Sequence, residues 1–220
     1  MQEPYIVPPC TRPVAILYQD EQLLFINKPD LLLSIPGRHP LNKDCVISRM
    51  RADYPGASMV HRLDLDTSGV MVIPLTKAVH SHISRQFQQR VVKKEYHAIV
   101  FGLVEQDVGE IDLPIAPDWS NRPRQKICAQ KGKPSLTRYE VLQRDEANNR
   151  TRLLLKPETG RSHQLRIHLS ETGYPILGCD LYAHEQALAL SPRLLLHASY
   201  LGFQHPHSGE WIEQSCPPPF

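Results

Sequence analysis

The chain has 220 residues, of which 41% are hydrophobic and 22% are charged, and its formal net charge is +2. This composition is typical of a folded protein and excludes disorder as the default state, and the length fits one large domain or two small ones. A charge so close to balance does not by itself identify a protein that binds nucleic acid.

Neither a membrane segment nor a secretion signal is indicated by the sequence. No apolar run reaches the 18 residues that mark a membrane-spanning helix, and the first nine residues are polar and proline-rich, unlike a signal peptide. The five cysteines are scattered and form no Cys-x-x-Cys pair, which argues against a structural zinc site and against a disulfide framework. We therefore expect a cytoplasmic protein.

The start of the chain predicts an arm followed by a hairpin. Residues 1–13 contain four prolines and no periodic pattern, so we expect an extended arm in front of a single domain of residues 14–220. Apolar runs at residues 14–18 and 23–27 are separated by a short polar stretch and predict a β-hairpin.

Two helices are predicted next. Asn42 or Asp44 could cap a helix over residues 45–54. Thr76 is expected to cap a second helix over residues 77–90, because apolar residues repeat there every four positions and form one stripe. The members of that stripe are Val79, Ile83 and Phe87.

The second half of the chain is rich in strand patterns. A helix is predicted from Arg161 to about residue 171, with Leu165 and Leu169 facing inward. The predicted strands cover residues 95–101, 136–142, 151–156, 193–203 and 210–215, and one further short strand is expected within the loop of residues 102–117. In total we expect about nine strands and four helices with many short connections, which indicates an α+β fold with a mixed, mostly antiparallel sheet.

The most distinctive stretch is a charged loop that leads into a buried strand. It begins with His61 and Arg62, contains Asp64 and Asp66, and passes through Gly69 into an apolar run. Such a loop can hold a reactive side chain rigidly at the edge of a cleft. From the residues alone, a hairpin loop whose carboxylates and hydroxyls cap backbone groups is an equally good interpretation.

This loop resembles the signature of the RluA family of RNA pseudouridine synthases, His-Arg-Leu-Asp-x-x-Thr-Ser-Gly. Three other stretches resemble family motifs and follow in the family's order: Asn27-Lys28-Pro29 with residues 32–37, Lys93-Lys94-Glu95-Tyr96, and residues 160–168. Four motifs in one order across nearly the whole chain are hard to attribute to chance. One departure is Leu31, where the family usually has glycine, so a turn that needs a positive φ would be strained.

The resemblance implies a fold and an activity. The fold would be a single pseudouridine-synthase domain, with a long bent mixed sheet, flanking helices and a central cleft. The activity would be the isomerisation of uridine to pseudouridine in RNA, which needs no metal and no cofactor. Residues 118–126 are similar to the RluA subgroup, which modifies a tRNA and the large-subunit 23S rRNA. A separate RNA-binding domain, present in many relatives, would not fit in the short arm.

The resemblance also assigns roles to four residues. Asp64 matches the catalytic aspartate of the family, and whether it acts as a nucleophile or a base stays open. Arg62 would help to hold the target nucleotide out of its stack, Tyr96 would lie against the flipped uracil, and Arg166 would favour the ionised form of Asp64. From position alone, Tyr96 reads as a cross-strand packing residue, and Arg166 as a helix residue with even chances of solvent exposure.

Two basic segments are candidates for contact with the RNA backbone. Taken alone, either segment is typical of a solvated surface. Because both segments flank candidate active-site motifs, together they favour a phosphate-binding groove. Their candidate residues are Arg85, Arg90, Lys93, Arg122, Arg124 and Lys126. Structured RNA loops are the expected partners because an unpaired uridine leaves its stack at a lower cost than a paired one. We expect a monomer.

Other functional classes have weaker support. A non-catalytic RNA-binding protein would keep the basic segments without needing Asp64. A carboxylate hydrolase could use Asp64 and Asp66 if they lay on one face of an extended segment, about 6–7 Å apart. Metal binding by His163 and His168 is disfavoured, because their spacing is five rather than the four of helical zinc sites.

Overall fold

The computed structural model describes residues 5–220, so the first four residues of the predicted arm lie outside the described part. The chain forms two compact units. The first unit contains the residues up to Lys93 together with Ala198–Pro219, and the second contains Lys94–His197 together with Phe220.

Residues 5–220 contain eleven strands and four α-helices. The strands are β1 (Ala15–Gln19), β2 (Leu23–Lys28), β3 (Ser68–Pro74), β4 (Lys93–Phe101), β5 (Val108–Asp112), β6 (Ile115–Pro117), β7 (Gln125–Ile127), β8 (Leu136–Asp145), β9 (Arg150–Pro157), β10 (Leu196–Gln204) and β11 (Trp211–Ser215). The helices are α1 (Val46–Asp53), α2 (Lys77–Gln89), α3 (Gln164–Glu171) and α4 (Glu185–Ala189).

The first unit is built on a sheet in which β2 and β3 occupy the middle. β1 and β2 form the predicted hairpin, β2 pairs antiparallel with β3, and β3 lies next to β10, which pairs antiparallel with β11. All seven residues of β3 are buried. A strand covered on both faces carries a continuous apolar run instead of an alternating one, which explains the sequence pattern seen there.

Helix α2 covers this sheet as its apolar stripe predicts. Val79 and Ile83 are buried in one core cluster with Phe25, Val72 and Phe203. Each such side chain removed from water contributes roughly 1.5–3 kcal/mol. The predicted cap is confirmed, since the hydroxyl of Thr76 accepts a hydrogen bond from the Val79 backbone N–H at 3.3 Å.

The predicted cap of α1 is wrong. Cys45 is the N-cap: its Sγ accepts from the Ser48 N–H at 3.4 Å, and the Ser48 hydroxyl accepts from the Cys45 N–H at 3.0 Å. This reciprocal arrangement satisfies two backbone donors at once. Asp44 instead binds the guanidinium of Arg49 at 2.6 Å.

Leu31 adopts the left-handed conformation, with φ of 59°. The turn thus has the positive φ considered above, at a leucine that is 41% exposed, and this backbone conformation is strained for a residue other than glycine. The part of the arm that is described packs nearby. The Val7 N–H donates to Asn42 Oδ1 at 2.9 Å, and Arg12 pairs with Asp30 at 2.6 Å.

The second unit contains the sheet order β4-β9-β8-β5, in which neighbouring strands with a described register are antiparallel. β6 and β7 form a separate two-stranded sheet. The core contains Ala98, Leu153, Leu155, Leu165 and Ile176. The α+β class with mostly antiparallel sheet is confirmed. The strand count exceeds the expected nine because residues 108–127 form three short strands where one was expected.

Helix α3 starts later than predicted. It begins at Gln164 because His163 has a left-handed backbone, with φ of 57°, which a helix cannot include. The predicted inward residues Leu165 and Leu169 are buried, and so is every other residue from Gln164 to Leu169. The helix is therefore covered on all sides over this stretch.

Candidate active site

The loop that carries Asp64 lies in the first unit and leads into β3, as the sequence predicts. Asp64 is half-buried, and the Thr67 N–H donates to its carbonyl oxygen at 3.3 Å, so that Leu65 and Asp66 occupy a turn. The hydrolase hypothesis assumed an extended segment from Asp64 to Asp66. That assumption was wrong, because the extended backbone begins only at Ser68.

A buried serine holds the residue before Asp64. The Ser34 hydroxyl donates to the Leu63 carbonyl at 2.7 Å and accepts from the Leu63 N–H at 3.1 Å. Ser34 is 4% exposed, so loss of its hydroxyl would leave both peptide groups of Leu63 without this partner. One side chain thus fixes both backbone groups of the residue that precedes the candidate carboxylate.

A buried lysine holds the residue after Asp64. Lys28 is fully buried, and its ammonium group donates to the carbonyls of Pro29, Leu32 and Leu65 at 2.9, 2.7 and 3.1 Å. Three protons thus meet three acceptors. Burial lowers the pKa of Lys28 to about 7, against the opposing effect of Asp66, Asp30 and Asp64.

His61 anchors the start of the loop. Its Nε2 accepts from the Val72 N–H of β3 at 3.0 Å, and its ring stacks on Phe87 of α2 with centroids 4.9 Å apart. Gly69 at the start of β3 has φ of 120°, and a Cβ there would lie 2.2 Å from the Ala198 carbonyl oxygen. Only glycine therefore permits this close approach of β3 and β10.

Arg62 is exposed, although it is only two positions from Asp64. Its neighbours His61 and Leu63 are anchored by the hydrogen bonds described above, so the backbone on both sides of Arg62 is held in place. That placement is compatible with the expected contact to a target nucleotide.

Tyr96 lies in the second unit on β4. It is opposite Leu155 of β9, is half-buried, and packs against the core of that unit. The cross-strand packing interpretation therefore describes part of its surroundings. Its exposed portion leaves room for a second role.

The sequence left the exposure of Arg166 open, and the structure shows that this side chain is buried. Its side chain is 2% exposed in α3. Arg166 Nε donates to Cys179 Sγ at 3.3 Å, and Nη2 donates to Asp180 Oδ1 at 2.5 Å. The guanidinium also lies over Tyr182, 5.6 Å from the ring centroid. Arg166 is therefore held on several sides in a defined orientation.

Two buried polar residues fix the helix that carries Arg166. Gln164 donates from Nε2 to the Leu136 carbonyl and to the Thr137 hydroxyl, both at 3.0 Å. Its Oε1 accepts from the Thr159 hydroxyl at 2.8 Å and from the Arg161 N–H at 3.0 Å. All the hydrogen-bonding capacity of this amide is used, which is the condition for a stable buried polar group.

His168, four residues further along α3, completes this network. Its Nδ1 lies 3.0 Å from the Thr137 hydroxyl and its Nε2 lies 3.0 Å from the Leu113 carbonyl. Thr137 accepts from Gln164, so its own proton is directed to Nδ1, and Nε2–H donates to Leu113. Burial lowers the pKa of His168, although the Leu113 carbonyl and Asp112 oppose the change. The ring is therefore neutral.

Among residues 5–220, no three His, Cys, Asp or Glu side chains are grouped so that they could hold a metal ion. His163, the other half of the disfavoured pair, places Nδ1 2.7 Å from the Tyr182 hydroxyl.

All six candidate RNA-backbone residues are exposed, as expected for contact with phosphate: Arg85, Arg90, Lys93, Arg122, Arg124 and Lys126. Arg122 lies over Trp119, 4.8 Å from the ring centroid, and this tryptophan is 71% exposed. Arg124 additionally has a structural contact, because its guanidinium lies over Tyr182 and donates to the Leu181 carbonyl.

The family assignment follows from a comparison with known proteins. A model of the RNA pseudouridylate synthase family matches residues 22–171, which include the loop around Asp64 and all of α3. The chain belongs to this family.

Individual relatives match this chain over nearly their full length. The chain is 50% identical over 213 residues to a protein of Pasteurella multocida, covering 97% of each chain, and 48% identical over 219 residues to a protein of Escherichia coli strain K12, covering 100% of this chain and 96% of the relative. Both are named dual-specificity RNA pseudouridine synthase RluA. The chain is therefore an RNA pseudouridine synthase of the RluA subgroup, which disfavours the non-catalytic alternative.

A solved structure supports the fold. Human RNA pseudouridylate synthase domain containing 1 has a TM-score of 0.80 and 32% identity, and the match covers 97% of this chain and 86% of the human chain. Within residues 5–220, none of the helices is both long and apolar enough to cross a membrane.

Sequence reasoning missed two residues that position the loop of this synthase, Lys28 and Ser34. Lys28 and Ser34 lie inside stretches that resemble family motifs, so the sequence marked their position but not their purpose. A lysine at the end of the apolar run of β2 was the available signal, because a buried lysine needs acceptors. The partners of Ser34 lie 29 residues away and leave no local pattern.

Proposed function

We propose that this pseudouridine synthase modifies two classes of RNA, the anticodon stem-loop of tRNA and a hairpin of 23S rRNA. The relatives with near-complete coverage are named dual-specificity enzymes, and residues 118–126 resemble the same subgroup. Both substrates are loops, from which a uridine can be extruded at a cost of only a few kcal/mol. We propose that the enzyme acts on these RNAs in the cytoplasm and as a monomer.

The reaction breaks the N1–C1′ bond, turns the uracil and rejoins it through C5. Because no electrons and no atoms are gained or lost, a carboxylate in a water-excluded site is sufficient, and neither a metal nor a cofactor is required. We assign this carboxylate to Asp64, acting as a nucleophile or as a base. The observation that carries the assignment is the rigid backbone around Asp64, with Leu63 held by Ser34 and Leu65 by Lys28.

The partner roles follow from the family motifs. Arg166 is proposed to stabilise the negative charge of Asp64, and Tyr96 to hold the uracil by stacking, which tolerates rotation of the base in its plane. Arg62 is proposed to contact the extruded nucleotide. The burial of Arg166, its fixed orientation and the exposure of Arg62 support these roles.

Asp64→Asn is the direct test of the catalytic carboxylate. The substitution keeps the shape of the side chain and removes its charge, so turnover is expected to fall by about a hundredfold or more. Release of tritium from RNA that contains 5-tritiated uridine measures the reaction, and RNA affinity is expected to stay within a few fold of the wild type.

Asp66→Asn is the matched control, since it changes the same functional group two positions away. Its effect is expected to be much smaller. Equal losses in the two variants would mean that the wrong carboxylate has been assigned, and full turnover by Asp64→Asn would overturn the proposed mechanism.

The substrates are tested by mapping pseudouridines in total RNA. Cells that lack the protein are expected to lose one modification in tRNA anticodon loops and one in 23S rRNA, and a plasmid copy of the gene restores both. Loss in only one RNA class would limit the enzyme to that class. The Asp64→Asn copy serves as the control for restoration.

A further inference from the structure

Tyr182 lies in the second unit and contacts both helix α3 and strand β7. Strands β6 and β7 pair antiparallel, and we call them with their connection the β6–β7 hairpin. Tyr182 is half-buried and lies two positions after Asp180, the residue that pairs with Arg166. None of the family motifs recognised in the sequence includes this tyrosine. Its contacts nevertheless include Arg166, a proposed catalytic partner, and Arg124, a candidate for contact with the RNA backbone.

The hydroxyl group of Tyr182 joins two elements. It accepts a hydrogen bond from the Gln125 N–H of β7 at 2.7 Å, and it lies 2.7 Å from Nδ1 of His163. His163 is the N-cap of α3 and has a left-handed backbone. A non-glycine residue persists in that conformation only where its surroundings determine it, and the Tyr182 contact is one of those surroundings.

The ring of Tyr182 interacts with two guanidinium groups. Arg124 from the hairpin and Arg166 from α3 each lie 5.6 Å from its centroid. A cation over an aromatic face is attracted by the negative potential of the ring, so each arginine is oriented by it. The backbone of Tyr182 adds a third link to α3, since its carbonyl accepts from the Ser170 hydroxyl at 2.7 Å.

We propose that Tyr182 is a positioning residue that orients Arg166 and couples it to the β6–β7 hairpin. The inference rests on the proposed roles of Arg166 in catalysis and of the hairpin in RNA contact. RNA bound by the hairpin shifts or fixes β7, and the Tyr182 hydroxyl transmits this to His163 and the start of α3. The hairpin therefore affects the rate of the chemical step as well as the affinity for RNA.

The test compares Tyr182→Phe with Tyr182→Leu. Phenylalanine keeps the ring under both guanidiniums and removes only the hydroxyl, whereas leucine removes the ring as well. We expect Tyr182→Phe to lower kcat about tenfold with KM and RNA affinity nearly unchanged, because displacement of a catalytic partner by about 1 Å can cost about a hundredfold in rate. Tyr182→Leu is expected to lower kcat further.

The matched control is Tyr54→Phe, which also removes a tyrosine hydroxyl that donates a hydrogen bond, here to Gln19 Oε1 at 2.8 Å in the first unit. It is expected to leave kcat unchanged. The melting temperature of each variant separates positioning from folding. A fall in kcat that only follows a loss of folded protein would assign Tyr182 a structural role and overturn the proposal.

A double variant tests the coupling to the hairpin. If Tyr182 transmits the state of the hairpin, the kcat losses of Arg124→Ala and Tyr182→Phe will not add, because both interrupt one connection. Fully additive losses, or wild-type kcat in Tyr182→Phe, would refute the coupling. An inactive wild type would instead refute the proposed function, and the Asp64→Asn enzyme gives the background rate for this comparison.

Discussion

Single side chains distant in sequence control the backbone on both sides of Asp64. Lys28 satisfies three carbonyls with one ammonium group, and Ser34 uses both the donor and the acceptor of one hydroxyl. Catalysis by a carboxylate depends on its placement to within a fraction of an ångström. We therefore propose that these two residues affect turnover as well as stability, although neither is expected to touch the RNA.

Ser34→Ala is expected to weaken both folding and turnover. The substitution leaves the buried N–H and C=O of Leu63 without this partner, which costs about 1–3 kcal/mol of unfolding free energy. kcat should fall while RNA affinity is retained, because the loop around Asp64 loses its fixed backbone. Urea unfolding and tritium release measure the two effects.

Ser81→Ala is the control for this experiment, since Ser81 also donates from its hydroxyl to a backbone carbonyl, that of Lys77, but on the exposed face of α2. It should change neither quantity. Unchanged kcat in Ser34→Ala would show that the loop keeps its geometry without the serine.

Among the elements, α2 and α3 show where sequence periodicity suffices and where it fails. The stripe of Val79 and Ile83 placed α2 correctly, because one face of this helix meets the core and the other meets water. Helix α3 is covered on all sides from Gln164 to Leu169, so its pattern did not reveal that Arg166 is buried. The burial of a charged residue depends on partners such as Asp180 and Tyr182, which periodicity does not report.

The neutral state of His168 makes the free energy of unfolding depend on pH. The folded-state pKa of His168 lies below its ordinary value of 6.5, so the unfolded chain binds the proton more readily. The stabilising contribution is therefore complete above pH 6.5 and decreases as the pH falls below that value. Urea unfolding of the wild type and of His168→Gln between pH 8 and pH 5 should show that the variant lacks part of this decrease.

His207→Gln is the control, because His207 is exposed. It is expected to keep the pH dependence of the wild type. Identical slopes for all three proteins would mean that His168 does not contribute to the dependence on pH.

The basic segments predict a salt-dependent affinity for RNA. Arg85 and Arg90 are exposed on α2 and at its end, and their replacement by Ala should flatten the plot of log Kd against log salt concentration by up to about one unit for each lost phosphate contact. Arg122→Ala with Lys126→Ala tests the hairpin in the same way.

Arg138→Ala is the matched control for those variants. Its side chain is exposed, but Nε lies 4.0 Å from the carboxylate of Glu110 and 3.9 Å from that of Glu158. These two carboxylates already balance the charge of Arg138. The slope should not change. A slope that is also unchanged in the double variants would remove that segment from the RNA interface.

At the scale of the whole molecule, the sequence predicted the fold class because short connections between strand patterns imply antiparallel neighbours. The β1–β2 hairpin follows this rule, and its two strands are adjacent in sequence. The pairing of β4 with β9 brings together Tyr96 and Leu155, which are far apart along the chain and share no local signal. The motif loop predicted Asp64 as a candidate from adjacent residues, whereas the contact between Ser34 and Leu63 joins residues 29 positions apart and leaves no local pattern.

The distribution of cysteines has a practical consequence for studying RNA recognition. Four of the five thiols are buried, while Cys128 is half-exposed just after β7. Backbone hydrogen bonding, chiefly from Lys131, lowers the pKa of this thiol in spite of the opposing effect of desolvation, and a larger thiolate fraction reacts faster. The native enzyme should take up a single equivalent of a maleimide fluorophore, countable by mass spectrometry, and Cys128→Ser should take up none. The wild-type enzyme, labelled at this thiol, would then carry a fluorescent reporter just after β7. Binding of transfer RNA could be followed by the change in fluorescence intensity.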